Sequence, residues 1–388
     1  LGGSSGTLSR LDADMKKRIL VVGAGFAGAT IARELADSGR YQVQVIDRRD
    51  HIAGNAYDPI DDKLRLRIHC YGPHIFHTND QGIFDYLSRF TEWLTYTHRV
   101  EAWIENTGYV PLPINRLTLN RIYRQQLTDE AAVKAFLDTI RSQHDNPANA
   151  LQVAESLYGP ELTQLFFGRY TRKMWGIDLA ELPTDVLKRL PVRYDDNCNY
   201  FNDKIQALPK HGYLGLFNNL LDHPDIEVKL GCEFDKSMEA DFYHVFNSMP
   251  IDVYFDQQFG ALPYRSIKFI HETFDTHQQP VPTINFTDDG IYTRQTDWRL
   301  YPGCDLGAKT ALLTKEIPCS YEDNNYERYY PVKTVDGAPQ NLYRRYRAEA
   351  EKLSNITFIG RCGQYIYYDM HQVVANSLKI AHTFLGKG

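Results

Sequence analysis

The sequence predicts an α/β protein built on a parallel nucleotide-binding sheet, into which a helical region and an antiparallel sheet are inserted. Three observations predict it. An apolar strand, a glycine turn and an amphipathic helix open the chain; a block with three- and four-residue apolar spacing fills its middle; a strand, a turn and a long helix close it.

The size and composition agree with such a plan. The chain has 388 residues, too many for one simple core and suited to two or three units. Hydrophobic residues make up 43% and charged residues 24%, the balance of a soluble globular protein. With 43 basic against 49 acidic residues the formal charge is −6, so no bulk polycation is present and no nucleic-acid partner is expected. No run of about eighteen apolar residues occurs, so no membrane span is expected. Residues 1–14, "LGGSSGTLSRLDAD", are Gly/Ser-rich without the apolar core of a signal peptide, and read as an expression tag ahead of Met15. The 6 cysteines form no C-x-x-C pair, which fits free thiols in a reducing cytoplasm.

The first element is "KKRILVVGAGFAGATIARELADSG". Gly23, Gly25 and Gly28 form G-x-G-x-x-G around Phe26 and Ala27 at the strand-to-helix junction. The first glycine permits the tight turn, the second admits a pyrophosphate to the backbone, and the third lets helix and strand pack closely. The helix then meets the phosphates with its positive end. "YQVQVID" follows as a second strand ending at Asp47, about twenty residues beyond the glycines, where a carboxylate would accept from a ribose. A glycine turn with no ligand is the bland alternative, and the register of strand, turn, helix, strand and acid argues against it. After Asp47 comes "RRDHIAGNAYD", a basic and then glycine-containing continuation with Arg48, Gly54 and Asn55 rather than another plain βα unit. At the far end, "NITFIGRCGQYIYYDMHQVVANSLKIAHTFL" supplies a strand, a turn with Arg361, and a helix whose start carries Asp369 and Met370. A returning carboxy-terminal strand and helix favours FAD over NAD. The Rossmann-type FAD-binding domain is therefore expected to be discontinuous, over 15–85, 222–252 and 350–388.

In the middle, "LTLNRIYRQQL", "DEAAVKAFLDTIRSQH", "NALQVAESLY" and "ELTQLFFGRYTRKMW" have helical period, and the inserted helical domain is expected over 116–190. The remaining 86–115, 191–221 and 253–349 alternate short Tyr/Phe/Val-rich runs with turn residues, as an antiparallel β-sheet domain would, with some helix near "HGYLGLFNNLL".

Two sets of residues point to chemistry. "IHCYGPHIFHTN" crowds His69, Cys70, His74 and His77, all common metal ligands. A metal needs three or four ligands converging with an oriented outer shell, and Gly72-Pro73 turns the chain between them. No partner set stands elsewhere, so metal: none is the expectation, with a structural role open for some of the histidines. Arg189 and Arg193 in "KRLPVR", Arg294 in "YTR" and Arg361 in "GR" form the second set. Most arginines are solvated or ion-paired, but a diphosphate requires guanidinium forks and hydroxyls. The 26 tyrosines could line such a cleft as well as pack a core.

"VGAGFAGA", "HIAGNAYD", "YGPHIFHT", "LPIN", "KMWG", "LKRLPVR", "NYFND", "YRS", "INFTD", "YTR", "TKE", "YYPV" and "YYDMHQ" occur in the order found in bacterial UDP-galactopyranose mutases, which the chain resembles from Lys17 to its end. The resemblance implies a flavin-dependent isomerase that converts a UDP-hexopyranose, galactose or its N-acetylamino analogue, into the furanose. Reduced FAD would act through N5 as nucleophile at the anomeric carbon, so that the reaction is redox-neutral overall. By the same resemblance Arg189 and Arg294 bind the diphosphate, with hydroxyls from Tyr200, Tyr330 and Tyr367 and with Asp369 nearby. Phe166, Phe167, Tyr170, Trp175 and Asn285 match the uridine region, Tyr170 as the ring stacked on uracil. His77 would lie beside the flavin and His74 in the same flavin-facing loop. A loop near Trp175 would close over substrate. One departure is Ala53, where the family usually has glycine.

The expected partners are a UDP-sugar, a cellular flavin reductant such as NAD(P)H and further copies of the chain. A flavin amine oxidase would share the nucleotide fold but oxidise its substrate with O₂; a non-catalytic nucleotide-sugar binder would need no reduced flavin.

Overall fold

The computed structural model describes residues 16–187 and 191–386. The expectations for residues 1–14 and for Arg189 lie outside them. The described chain falls into two units. One comprises the residues up to Tyr57, Leu214–Gln258 and those from Tyr346 onward; the other comprises Asp58–Tyr213 and Phe259–Arg345.

The first unit carries five parallel strands in the order Ile226–Leu230, Tyr41–Asp47, Lys17–Val22, His244–Asn247, Ile356–Phe358. Parallel sheets are covered on both faces, which is why the central strand reads as a continuous apolar run. Val21 faces the helix Phe26–Asp37, against which the helix Met370–Phe384 packs. Leu20 and Val22 point the other way and join Ile46, Val245, Tyr254 and Ile356 in a second cluster. Parallel register aligns the carboxyl ends of the strands, so the Gly23 turn, the Asp47 loop and Ser248 meet at one edge. That edge is where open α/β sheets bind ligands.

The second unit contains a seven-stranded sheet in the order Tyr330–Pro331, Tyr264–Phe274, Ala311–Ser320, Arg294–Asp297, Thr283–Phe286, Val100–Ile104, Gly108–Leu112. It departs from the expected antiparallel sheet at one pair: Thr283–Phe286 runs parallel to Val100–Ile104. These strands lie far apart in sequence, so no hairpin dictates their direction. Helices follow at Arg116–Tyr123, Glu130–Ile140 and Ala150–Tyr158, each begun by a side-chain cap, Asn115, Asp129 and Asn149. Then come Pro160–Thr163, a π turn at Gln164–Gly168 and the helix Arg169–Trp175.

The helices share a core with the sheet. Val100, Ala102, Val110 and Leu112 pack with Leu119, Val133, Leu137, Ala154 and Leu162. The helical and sheet segments therefore form one unit, where the periodicity alone suggested two. Residues 58–85, expected in the nucleotide domain, also fall in this unit: the strand Phe76–Thr78 pairs with Ile205–Pro209, which pairs in turn with Trp93–Thr95. Among the described residues no helix is long and apolar enough to cross a membrane.

Candidate functional site

In the first unit the glycine turn is a side-chain-free cradle. Gly23 has φ +103°, a conformation open to glycine, and a Cβ there would stand 2.0 Å from Ser248 Oγ. A Cβ on Gly28 would lie 1.9 Å from Gly23 O, so helix and strand approach as closely as they do only because that atom is missing. Gly25 and Gly54 face each other: a Cβ built on Gly54 would come within 3.0 Å of Gly25 Cα. Gly25 begins the helix with no side-chain cap, and a helix start of this kind suits an anion. Phe26 is pinned edge-on against Phe217 with centroids 4.7 Å apart, and Ala27 is buried.

Asp47 holds this edge in shape. Its Oδ2 accepts the Ala24 amide at 2.8 Å and its Oδ1 the Arg49 amide at 2.9 Å, while carboxylate lone pairs remain for a ribose hydroxyl. Arg49 in turn donates to Asn55 Oδ1 at 2.9 Å, and Arg48 is exposed beside it. Ala53 sits at φ +73°, so the alanine that departs from the family pattern holds a glycine-like conformation. From the carboxy-terminal segment, Arg361 donates to Tyr368 O at 2.6 Å and lies 4.6 Å from the Tyr367 ring centre. Asp369 caps the helix that Met370 opens, with its own amide bonded to Gln372.

In the second unit the histidines diverge. His69 is 1% exposed, and its Nδ1 accepts the His74 amide at 3.1 Å, which puts the ring proton on Nε2. Burial, then His74 and Arg67, hold its pKa well below the ordinary histidine value. His74 Nδ1 bonds Gly72 O at 2.7 Å. His77 turns to Asp203, Nδ1 to Oδ2 at 2.9 Å, and stacks on Phe201 at 3.8 Å. Since a carboxylate only accepts, Nδ1 carries a proton. Burial, then Asp58, pushes the Cys70 thiol up to about 11. No three His, Cys, Asp or Glu side chains among the described residues converge to hold a metal.

Arg294 forms the electrostatic centre of this unit. Its Nε and Nη2 both reach Glu316 Oε2, at 3.0 and 2.9 Å; the arginine side chain is 27% exposed and the glutamate 1%. Burial alone works against the guanidinium charge, but Glu316 and the hydroxyls of Tyr170, Tyr200 and Tyr301 outweigh it and raise its pKa. Burial raises the Glu316 pKa against the pull of Arg294. Asn285 lies directly across the hairpin from Arg294. Next to this group His98 is enclosed by Phe201, Tyr301 and Tyr200, with Tyr96 Oη 3.0 Å from its Nδ1. Burial, then Arg294 and His77, lowers its pKa to about 3, so it is neutral.

The structure thus gathers Arg294, Tyr170, Tyr200 and Asn285, and it places Trp175 on Tyr330 with rings 5.1 Å apart. The Tyr330 hydroxyl donates to Met174 O at 2.6 Å, so that proton is committed within the fold. Phe166 and Phe167 belong to the packed interior of the second unit. They are 2% and 7% exposed within the hydrophobic core, because the π turn directs two consecutive rings inward. Glu316, His98, Asp203 and Lys173 were not singled out from the sequence. Glu316 and Asp203 stand in the quoted "TKE" and "NYFND", which was the available signal.

Comparison with known proteins follows the same lines. A family model described as UDP-galactopyranose mutase matches residues 165–367, and one described as an NAD(P)-binding Rossmann-like domain matches residues 21–90. The chain is 37% identical over 370 residues to a protein of Klebsiella pneumoniae named "Probable UDP-galactopyranose mutase", covering 95% of each. It is 35% identical to a dTDP-fucopyranose mutase of Escherichia coli, covering 95% of this chain and 98% of that one. A UDP-galactopyranose mutase of Mycoplasma genitalium is 32% identical, with 95% and 94% covered. Among solved structures, a reduced UDP-galactopyranose mutase superposes with TM-score 0.75 at 15% identity over 96% of this chain and 95% of that one. A putrescine oxidase variant shares the fold more loosely, at TM-score 0.55 and 13% identity over 96% and 100%.

Proposed function

The chain belongs to the UDP-galactopyranose mutase family of isomerases, and on that premise we propose that it interconverts a UDP-hexopyranose and its furanose with FAD as cofactor. The observation that carries the proposal is Arg294, held on a buried carboxylate among the tyrosine hydroxyls of a chain that also builds a bare glycine cradle.

The residues present fit the dinucleotide. Gly23, Gly25 and Gly28 leave room for the pyrophosphate against the uncapped helix start, Asp47 has acceptor capacity for a ribose, and Arg48, Gly54, Asn55 and Arg361 complete the binding set. Bound and reduced, FAD would supply a nucleophile for the anomeric carbon with no net change of redox state. The chain's own task is binding and charge. Arg294 and Arg189 would take up the negative charge that grows on the diphosphate as the glycosidic bond breaks. Glu316 fixes the direction of the Arg294 fork, and Tyr170 supplies a ring for the base. His77, its ring oriented by Asp203, would lie beside the cofactor. A reductant such as NAD(P)H would be needed to prime the protein and not for each turnover. A cytoplasmic homo-oligomer remains our expectation.

A second reading concerns the substrate. The similarity to a dTDP-fucopyranose mutase favours including dTDP-6-deoxyhexopyranoses among the candidates. Incubating the dithionite-reduced, FAD-loaded protein with UDP-galactopyranose, its N-acetylamino analogue and dTDP-fucopyranose distinguishes them by the furanose that accumulates. The proposal expects a UDP-furanose; a dTDP-furanose alone would move the assignment to the second reading, and no furanose from any of them would end it.

A further inference from the structure

The geometry points to Lys173 as a positioning residue that locks the helix carrying Tyr170 to the hairpin carrying Asn285 and Arg294. Its ammonium donates to Tyr292 O at 2.7 Å and Phe286 O at 3.0 Å, and approaches Asp288 Oδ1 at 3.4 Å. A lysine has three donors, and these partners occupy all of them. The acceptors span the tip of one hairpin, which is closed by Phe286 N–H to Thr293 O at 2.9 Å. Asn285 precedes the first acceptor, and Arg294 follows the second by two residues. Lys173 thus grips the turn from which both substrate-facing side chains leave.

The carboxy-terminal end of this helix is also held through its backbone. Arg265 donates from Nε to Met174 O at 2.9 Å and from Nη2 to Lys173 O at 3.0 Å, and the Tyr330 hydroxyl also takes Met174 O. A guanidinium on the last carbonyls satisfies groups the helix cannot pair itself and opposes its dipole. Tyr170 stands three residues before Lys173, on the same flank of the helix. The ordinary alternative is a surface ion pair to Asp288, worth little in water. Against it, the Lys173 side chain is only 14% exposed, and its two shorter bonds go to backbone carbonyls rather than to the carboxylate.

A ligand that touches Tyr170 with its base and Arg294 with its diphosphate gains from both only when the two are held at a fixed spacing. The inference rests on the proposed nucleotide-sugar substrate. Its test is the affinity of the FAD-loaded protein for UDP and for uridine, measured calorimetrically in wild type, Lys173→Met and Lys173→Arg. In Lys173→Met, UDP affinity is expected to fall about tenfold and uridine affinity by less than about threefold, so the UDP-to-uridine ratio drops. Lys173→Arg, which can still donate to both carbonyls, is expected to restore the ratio. Should Lys173→Met fail to fold, Lys173→Gln, with one amide donor group, carries the same comparison. A Met variant that melts earlier but keeps the wild-type ratio would overturn the lock, as would an equal loss for both ligands. Wild-type protein that binds no UDP would instead sink the functional reading, and the inference with it.

Discussion

Arg294 and Glu316 lie directly opposite each other on neighbouring strands, and Glu316 keeps one buried oxygen with no hydrogen-bond partner. Removing the arginine would strand that carboxylate, and breaking a buried pair costs about 3–5 kcal/mol. Arg294→Ala is therefore expected to lose both turnover, by at least about tenfold, and thermal stability. The double variant Arg294→Ala/Glu316→Gln separates the two effects: stability returns toward wild type and turnover does not. Kinetics beside a thermal melt read both, and a double variant that regained activity would remove Arg294 from the diphosphate site. Arg193→Ala should be milder in turnover, because Arg193 serves the fold through Asn199 O and Asn202 Oδ1. At this scale the sequence was half legible. "YTR" marked Arg294, but a pairing created by strand register cannot be read before the register is known. The histidines show the same limit. Their crowding left a structural role open without saying which, and each ring turns to a different neighbour, Asp203 for His77, Gly72 O for His74 and the His74 amide for His69. A melt in EDTA is expected to match one without it; a lower melting temperature with metal released into the chelator would reverse that assignment.

Elements built on local signals were the legible part of the fold. The glycine turn, the strand ending at Asp47 and the closing helix behind Asp369 all follow from short-range pattern, and they occur where the pattern put them. The division into units was less legible, since the helices after Asn115 and the strands before it share one core that only tertiary packing reveals. The π turn escaped for a similar reason: it shifts the phase of a helical stripe by one residue, which no short-range pattern announces, and it carries the buried Phe166 and Phe167. The glycine turn allows a prediction with two arms. A Cβ on Gly25 meets Gly54 Cα at 3.6 Å, ordinary contact, whereas one on Gly28 collides with Gly23 O. Gly25→Ala should fold normally and lose FAD during gel filtration, because the methyl stands where a pyrophosphate would approach. Gly28→Ala should lose stability as well. Flavin absorbance relative to protein absorbance, with a melt of each variant, checks both; Gly25→Ala retaining stoichiometric FAD would contradict the cradle.

Across the whole molecule, buried neutral histidines set the response to acid. Burial lowers the pKa of His98 to about 3 and of His244 to about 4, and holds His69 well below its usual value. A lowered histidine pKa means that the unfolded chain binds the proton first. The stability is therefore fully present above about pH 6.5 and is lost as pH falls toward the folded values, by about 1.4 kcal/mol per pH unit for each histidine. Urea melts at pH 7, 6 and 5 should show that decline, with a shallower slope in His98→Gln; a flat profile would mean that these rings are charged or solvated. The proposed reaction turns on electrons rather than protons: with FAD bound and reduced, the chain should isomerise its substrate without consuming reductant. The most direct measurement is anaerobic turnover of UDP-galactopyranose by protein given one equivalent of dithionite, counting UDP-galactofuranose formed per electron pair supplied. Many furanose molecules per electron pair, with no activity before reduction, is the predicted result. One product or fewer per electron pair, or equal turnover by the oxidised protein, would contradict it.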